Sequence, residues 1–333
     1  MKLLVIGGTQ FIGKHFVEQA LARGHEVTLF NRGSRPAPAG VESLVGTRDT
    51  DLDRVAGREW DAVIDTSAYV PRQVREAARL LEPNVGRYLF ISTVSVYADT
   101  SEPYVNEDGE LIRLEDIESE EVTGATYGGL KVLCEDELAA VYPADRSLVL
   151  RPTIVVGPDD PTDRFTYWAV RVSKGGTVLA PHGPKLPLQW IDVRDLAEWM
   201  TRGLEQNLTG TYHAASAADQ FDMQALLSAA AEVSASGADI VWVEDDFLLE
   251  REVRPFADLP FWLPAPASNM FRIDASRAQA NGLSIRSVTE TVRATLEWQA
   301  QRGDPELKIG WTAERERQLL EAWATHQRDG SED

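Results

Sequence analysis

The sequence predicts an α/β fold: a doubly wound parallel Rossmann sheet with a smaller C-terminal α/β substrate-binding cap. Three observations predict it. Short runs that are apolar throughout alternate with helical patterns up to Arg151, as in a parallel sheet covered on both faces. The first run leads into a turn bracketed by Gly7 and Gly13 and then into an amphipathic helix, the unit that binds the pyrophosphate of a dinucleotide. Beyond Arg151 the texture changes to Pro- and Gly-rich segments between short apolar stretches, which reads as a second, smaller unit.

In chain order, the candidate strands are residues 2–6, 26–30, 62–64, 87–92 and 147–151. Between the first two, Ile12, Phe16, Val17, Ala20 and Leu21 share one face at helical spacing, and Gly24 supplies the stop. The segments 156–161, 180–187 and 259–266 read as loops of the second unit, whereas 188–193 and 210–214 read as returns to the main sheet. Leu319, Leu320 and Trp323 predict a docking helix. The resulting division is a dinucleotide-binding domain at 1–155 with returns near 188–215, a cap with C-terminal helices at 156–187 and 216–326, and a mobile tail at 327–333. No internal repeat is present.

Composition narrows the function. With 333 residues, 43% apolar and 26% charged, the chain is an ordinary globular one. Its charge is not ordinary: 33 Lys and Arg against 53 Asp and Glu give a net −20. Such a surface repels phosphate backbones, and the basic residues are scattered singly, so no nucleic-acid partner is expected. No apolar run approaches the ~20 residues that span a bilayer, so no membrane association is expected either. The sole cysteine, Cys134, lies in a helical pattern as a half-buried structural thiol and excludes an intramolecular disulfide framework. With no signal-like leader before the first strand, the expected location is cytoplasmic. Five scattered histidines show no ligand spacing, and no metal is expected.

The chemistry-bearing motifs begin with Gly7-Gly8-Thr9-Gln10-Phe11-Ile12-Gly13. Gly7 permits the tight turn and Gly13 the close packing of helix on sheet; Thr9, Gln10, Phe11 and Ile12 lie where the helix N-terminus faces the diphosphate. The second strand ends in Phe30-Asn31-Arg32-Gly33, where a carboxylate would accept hydrogen bonds from the ribose diol of NAD. Asn31 replaces that carboxylate and Arg32 adds a cation suited to a 2′-phosphate, so the expected cofactor is NADP; if Arg32 stacks on adenine instead, NAD remains usable. Arg48 and Asp49 are placed to approach the adenine. Further on, Tyr127 and Lys131 lie four apart and so share a helix face. A neighbouring ammonium favours the phenolate, which predicts a Tyr127 pKa lowered from ~10 and a phenol able to exchange a proton while hydride moves to or from a nicotinamide.

With these motifs in this order, the chain resembles the short-chain dehydrogenase/reductase superfamily, in particular its extended NAD-dependent epimerase/dehydratase branch. Further stretches agree. Residues 90–97, Phe-Ile-Ser-Thr-Val-Ser-Val-Tyr, resemble the strand that delivers the family's catalytic hydroxyl, which the resemblance assigns to Thr93. Asp65-Thr66-Ser67-Ala68 resembles the turn that passes the nicotinamide half, making Thr66, Ser67 and Ala68 cofactor contacts. Arg151-Pro152 with Gly157-Pro158, then 190–197, then 210–213 resemble the later strands and returns, so the resemblance covers about residues 1–215. It implies that Tyr127 transfers the proton, that Lys131 also holds the nicotinamide ribose, and that two subunits pair through the Tyr/Lys helix and a second helix. Gln10 in place of glycine and the Asn-Arg pair after strand two are similar to an atypical subgroup that includes chloroplast stem-loop RNA-binding relatives.

The expected substrate is a small polar molecule, a sugar or nucleotide-sugar derivative first in line, reacting at a hydroxyl or carbonyl. Arg164 is a candidate for its carboxylate or phosphate, Tyr167 or Trp168 for stacking, and Gln189 for the same pocket. The competing reading of this segment is a loop-to-helix junction with Asp163 as cap and the aromatics in the core. Two further functions stay open: an NADPH-dependent carbonyl reductase without a nucleotide-sugar site, and a non-catalytic dinucleotide- or RNA-binding relative.

Overall fold

Successive side chains of β1 (Lys2–Ile6) alternate between two apolar cores, Leu3 and Val5 to one side, Leu4 and Ile6 to the other, as a strand buried on both faces requires. The computed structural model describes residues 1–329 and builds a seven-stranded, all-parallel sheet around that strand. In chain order its elements are β1, α1 (Phe11–Ala22), β2 (Glu26–Asn31), β3 (Glu42–Val45), β4 (Trp60–Asp65), α2 (Pro71–Leu81), β5 (Val85–Ile91), α3 (Tyr127–Ala139) and β6 (Ser147–Pro152). There follow β7 (Ile154–Val156), α4 (Arg164–Ser173), β8 (Thr177–Pro181), β9 (Pro187–Leu188), β10 (Trp190–Asp192), α5 (Val193–Glu205) and β11 (Gly210–Ala214). The last are β12 (Phe221–Asp222), α6 (Met223–Ser234), β13 (Asp239–Val243), α7 (Asp245–Glu250), α8 (Ser276–Ala280), α9 (Val288–Gln301) and α10 (Ala313–Asp329).

Strand order is β11-β6-β5-β4-β1-β2-β3. The connections run outward from β1 through β2 to β3 and then cross back to β4, so the topological switch lies between β1 and β4. Register makes the carboxyl ends flush: Ile6 pairs with Phe30 on one side and Asp65 on the other, and Asp65 pairs with Phe90. Helices α1 and α5 bury Phe16, Val17, Ala20, Trp199 and Met200 on one face; α2 and α3 bury Val74, Ala78, Leu81, Cys134 and Leu138 on the other. The apolar runs that read as strands are thus the middle of this sheet. β3, with the sequence Glu-Ser-Leu-Val, is an edge strand open to solvent and lacks the continuous apolar run that marks the others.

A third core, centred on Trp168, Trp190, Trp262, Phe165 and Phe261, is enclosed by α4, α6 and α9. The segment expected at 188–193 to return to the main sheet does not. Its β10 pairs in parallel with β7 in a separate two-stranded ladder, and only β11 joins the sheet, beside β6. That ladder is a seam: Ile154, Val156 and Trp190 face the third core, while Val155 and Ile191 face the sheet. Leu319 and Trp323 on α10 dock into the third core. The tail expected to be mobile from Gln327 continues α10 as far as Asp329, because the helix has no breaker there; residues 330–333 lie outside the described residues. Among the described residues no helix is long and apolar enough to cross a membrane.

Candidate active site

At the switch point, above the ends of β1, β2 and β4, lies a cleft of about 540 Å³. Gly7, Thr9, Gln10, Phe11, Ile12 and Gly13 line one wall. The turn is tied to the sheet by the Gly7 N–H donating to the Phe30 carbonyl at 2.9 Å. A Cβ at Gly13 would stand 2.8 Å from the backbone of Gly8, so only glycine lets the helix close on the turn. Phe11 holds a φ of +40°, a cost that non-glycine residues accept mainly at functional turns. α1 has no side-chain cap and no acidic residue in its first turn, so its free amides face the cleft without a competing carboxylate. These groups fit a dinucleotide pyrophosphate. A wider hollow of about 820 Å³ lies at the amino ends of the strands, around Met1, Lys2, Trp60 and Arg146; it is shallow, and it is at the wrong end of a parallel sheet for a ligand.

The opposite wall carries Asn31, Arg32, Asp49, Thr66 and Ser67. Thr66 and Ser67 donate back to the Ile6 carbonyl at 3.1 and 3.4 Å, which fixes the turn after β4 over the end of β1. Ala68 is buried, and its carbonyl accepts from the Lys131 ammonium at 2.9 Å.

The cleft leads to Tyr127 by way of Tyr69, whose ring lines the cleft and sits 6.4 Å from that of Tyr127. Thr93 caps the short turn at Val94–Val96, its hydroxyl accepting from the Ser95 N–H at 3.1 Å and donating to the Ser95 hydroxyl at 3.2 Å, and α3 packs on this turn so that Tyr127, its first residue, comes close to Thr93. The approach depends on Gly128: a Cβ there would fall 2.0 Å from the Ser95 carbonyl. Lys131 is buried, donates to the carbonyls of Ala68 and Ile91 at 2.9 and 2.7 Å, and lies 4.0 Å from the Phe90 ring centre. Burial brings its pKa down to about 8.

The expected lowering of the Tyr127 pKa is not found. Burial, helped by the neighbouring Tyr69, raises it, and the main opposing pulls come from the Thr93 hydroxyl and the Arg164 guanidinium. Lys131 is spent on backbone carbonyls instead, although its place one turn along the same face is as expected.

Arg164 opens α4 and is half-buried without an ion pair among the described residues. Its Nε donates to Thr162 Oγ1 at 3.0 Å, and Thr162 donates in turn to Asp160 Oδ1 at 2.7 Å. Burial lowers the Arg164 pKa, partly offset by Asp160 and Tyr127. A half-buried cation without an ion pair, near enough to favour the Tyr127 phenolate, is suited to an anionic group on a substrate.

Four other expectations are corrected. Arg48 borders the cleft, but its guanidinium turns inward, holding Asp65 at 2.9 and 2.8 Å and the Gln73 carbonyl at 2.8 Å; it has no fork left for adenine. Tyr167 is packed in the third core, its ring 5.1 Å from Trp168, because the apolar face of α4 points there. Gln189 is fully buried as a cross-link: its amide donates to the Ser216 and Ile273 carbonyls and accepts from the Ile273 N–H. Asp163, expected as a side-chain cap in the competing reading, instead binds Arg302 and the Lys308 N–H.

Sequence reasoning passed over Tyr69, Ser34 and Arg35, all of which line the cleft. Tyr69 carried a usable signal, an aromatic residue in the turn just beyond a parallel strand. Ser34 and Arg35 follow Gly33 in a loop whose direction no local pattern reveals.

A family model described as the NAD dependent epimerase/dehydratase family matches residues 3–218. The chloroplast stem-loop binding protein of 41 kDa b from Arabidopsis thaliana is 29% identical over 131 residues, 32% of this chain and 33% of that protein, so the match spans about a third of that relative's length. The 2-alkyl-3-oxoalkanoate reductase of Stenotrophomonas maltophilia is 27% identical over 221 residues, 60% of this chain and 64% of that one. Among solved structures, the UDP-glucuronic acid 4-epimerase of Bacillus cereus in complex with NAD shares the fold, with a TM-score of 0.66 at 17% identity over 92% of this chain and 99% of that one. Since the family model spans well over half of its residues, the chain belongs to the NAD dependent epimerase/dehydratase family.

Proposed function

We propose that the protein is an NADP-dependent oxidoreductase or epimerase of the extended short-chain type, acting on a hydroxyl or carbonyl of a small anionic substrate. A sugar or nucleotide-sugar derivative is the first choice. The observation that supports the reading is the close seating of α3 on the turn that Thr93 caps, with the Tyr127 ring 6.4 Å from that of the cleft residue Tyr69. When bound, the nicotinamide supplies the hydride acceptor or donor. In this reading Tyr127 exchanges the proton with the substrate oxygen, Thr93 hydrogen-bonds that oxygen, and the Lys131 ammonium holds the nicotinamide ribose. Arg164 pairs with the substrate anion and favours the Tyr127 phenolate. Gly7 to Gly13 bind the pyrophosphate, and Arg32 meets a 2′-phosphate.

The Tyr127→Phe variant tests it. Turnover with a panel of sugar-nucleotide and oxo-acid substrates should fall at least a hundredfold, in line with the loss of a general acid or base, while dinucleotide affinity changes little. Activity surviving in Tyr127→Phe would remove Tyr127 from the chemistry.

A second reading is favoured by the oxoalkanoate reductase relative: a reductase of oxo-acids with no nucleotide-sugar site. Arg164, half-buried and without an ion pair among the described residues, suits a substrate carboxylate in either case. Stoichiometric consumption of NADPH with a 3-oxo acid would select the reductase. Turnover of a sugar nucleotide without net cofactor consumption would select the epimerase.

A further inference from the structure

We propose that the segment 157–163, between β7 and α4, is a strap that retains the dinucleotide, latched to α1 by the Asp159 carboxylate. This rests on the dinucleotide reading above and adds what sets the residence time of the ligand.

α1 opens at Phe11, on the wall of the cleft assigned to the pyrophosphate, and Pro161 of the strap lines the same cleft. Two successive residues of α1 hold the strap. Lys14 Nζ donates to Asp159 Oδ2 at 2.6 Å, and His15 Nε2 lies 3.2 Å from that oxygen and 3.1 Å from the Pro158 carbonyl. His15 and Lys14 together bring the Asp159 pKa down to about 2, so the carboxylate stays charged around neutral pH. The far end of the strap is fixed more deeply: Asp163 is buried and accepts from Arg302 at 2.7 Å. The Lys14–Asp159 pair is partly open to solvent, so it is the end that can release.

The closed strap carries costs. Asp159 and Asp163 hold φ values of +66° and +58°, which non-glycine residues keep only where surrounding contacts impose them. Asp160 is fully buried: the Thr162 N–H and hydroxyl donate to its Oδ1 at 2.8 and 2.7 Å, but its Oδ2 has no partner among the described residues. On opening, water supplies that partner. Glu18, 3.9 Å from Lys14 and 3.8 Å from His15, stands ready to take both when Asp159 leaves. Closure therefore depends on the latch, and the latch sets how fast a dinucleotide beside Pro161 escapes.

Stopped-flow displacement of bound NADPH by excess NADP, followed by NADPH fluorescence, tests this on the wild type, Asp159→Asn, Lys14→Met and the double variant. Asparagine tolerates the left-handed backbone at 159. Each single variant should release NADPH about three- to fivefold faster, the size of one partly exposed ion pair. The double variant should be no faster than the faster single one, since both remove the same contact. Charge alone predicts a different pattern: loss of a carboxylate near the pyrophosphate slows release, and loss of the lysine speeds it. Slower or unchanged release from Asp159→Asn, or effects that multiply in the double variant, overturn the strap and leave the dinucleotide reading standing. NADH displaced by NAD serves as the probe if the wild type prefers it; if neither dinucleotide binds, both readings fall. In the ligand-free protein, amide hydrogen exchange across 157–163 should quicken in Asp159→Asn. Unchanged exchange there overturns the latch whatever the dinucleotide does.

Discussion

Lys131 must keep a positive charge in a site that disfavours one. Its Nζ is buried against the Phe90 ring and gives two of its hydrogens to the Ala68 and Ile91 carbonyls. An ammonium has three hydrogens and a neutral amine two, so only the charged form has one left for a ribose hydroxyl. Burial lowers the Lys131 pKa from its ordinary value to about 8, so the charge is present below that pH and is lost above it. Dinucleotide affinity should therefore weaken as pH rises beyond about 8, by up to about tenfold per unit. Titrations from pH 6.5 to 9.5 would show it, and Lys131→Met should be weak and flat across the range. A wild-type affinity unchanged up to pH 9.5 would mean that the ammonium does not contact the ligand. Tyr127 shows the complementary effect: spacing put a cation within one helical turn of the phenol, but burial decided the direction of its shift.

At the level of elements, the site exists because α3 can approach the turn after β5 closely. The Gly128 position nearly touches the Ser95 carbonyl, and this brings the first residue of α3 beside Thr93. In Gly128→Ala the methyl group meets backbone, which cannot rotate away, so the two elements must separate. We expect a stability loss of about 1–3 kcal/mol, typical of overpacking, measurable by urea unfolding. Turnover should drop more than tenfold while dinucleotide affinity is retained, because the Gly7–Gly13 turn lies on another element. Unchanged turnover would show that the close seating of α3 on the Thr93 turn is dispensable. Pairing of β10 with β7 in place of the main sheet belongs to this scale too. The run Trp-Ile-Asp-Val reads the same whether its neighbour is β6 or β7, and only the two cores on either side of the seam settle the choice.

Over the whole molecule the net charge of −20 dominates any encounter with another polyanion. The Arabidopsis relative is named as a stem-loop binder, but electrostatics oppose that role here. Filter binding with a stem-loop RNA at 50 mM salt should give no retention at micromolar protein. Retention that weakens steeply with added salt would reveal a basic surface and revive the binding-protein reading. The dinucleotide is a different case, since its phosphates meet helix amides and arginines inside a cleft and not the outer surface.

The features legible in the sequence are those whose physics is local in the chain. The strand, turn and helix around Gly7 and Gly13, the apolar strands of a sheet covered on both faces, and the shared face of Tyr127 and Lys131 depend on residues a few positions apart. Partnership between distant segments was not legible. Arg48 was free to reach for adenine until the fold set Asp65 against it, and Gln189 was free to line a pocket until Ser216 and Ile273 closed around its amide. A polar side chain in a list of residues has no assigned partner, whereas one buried in a fold must have one, and only the tertiary structure supplies it.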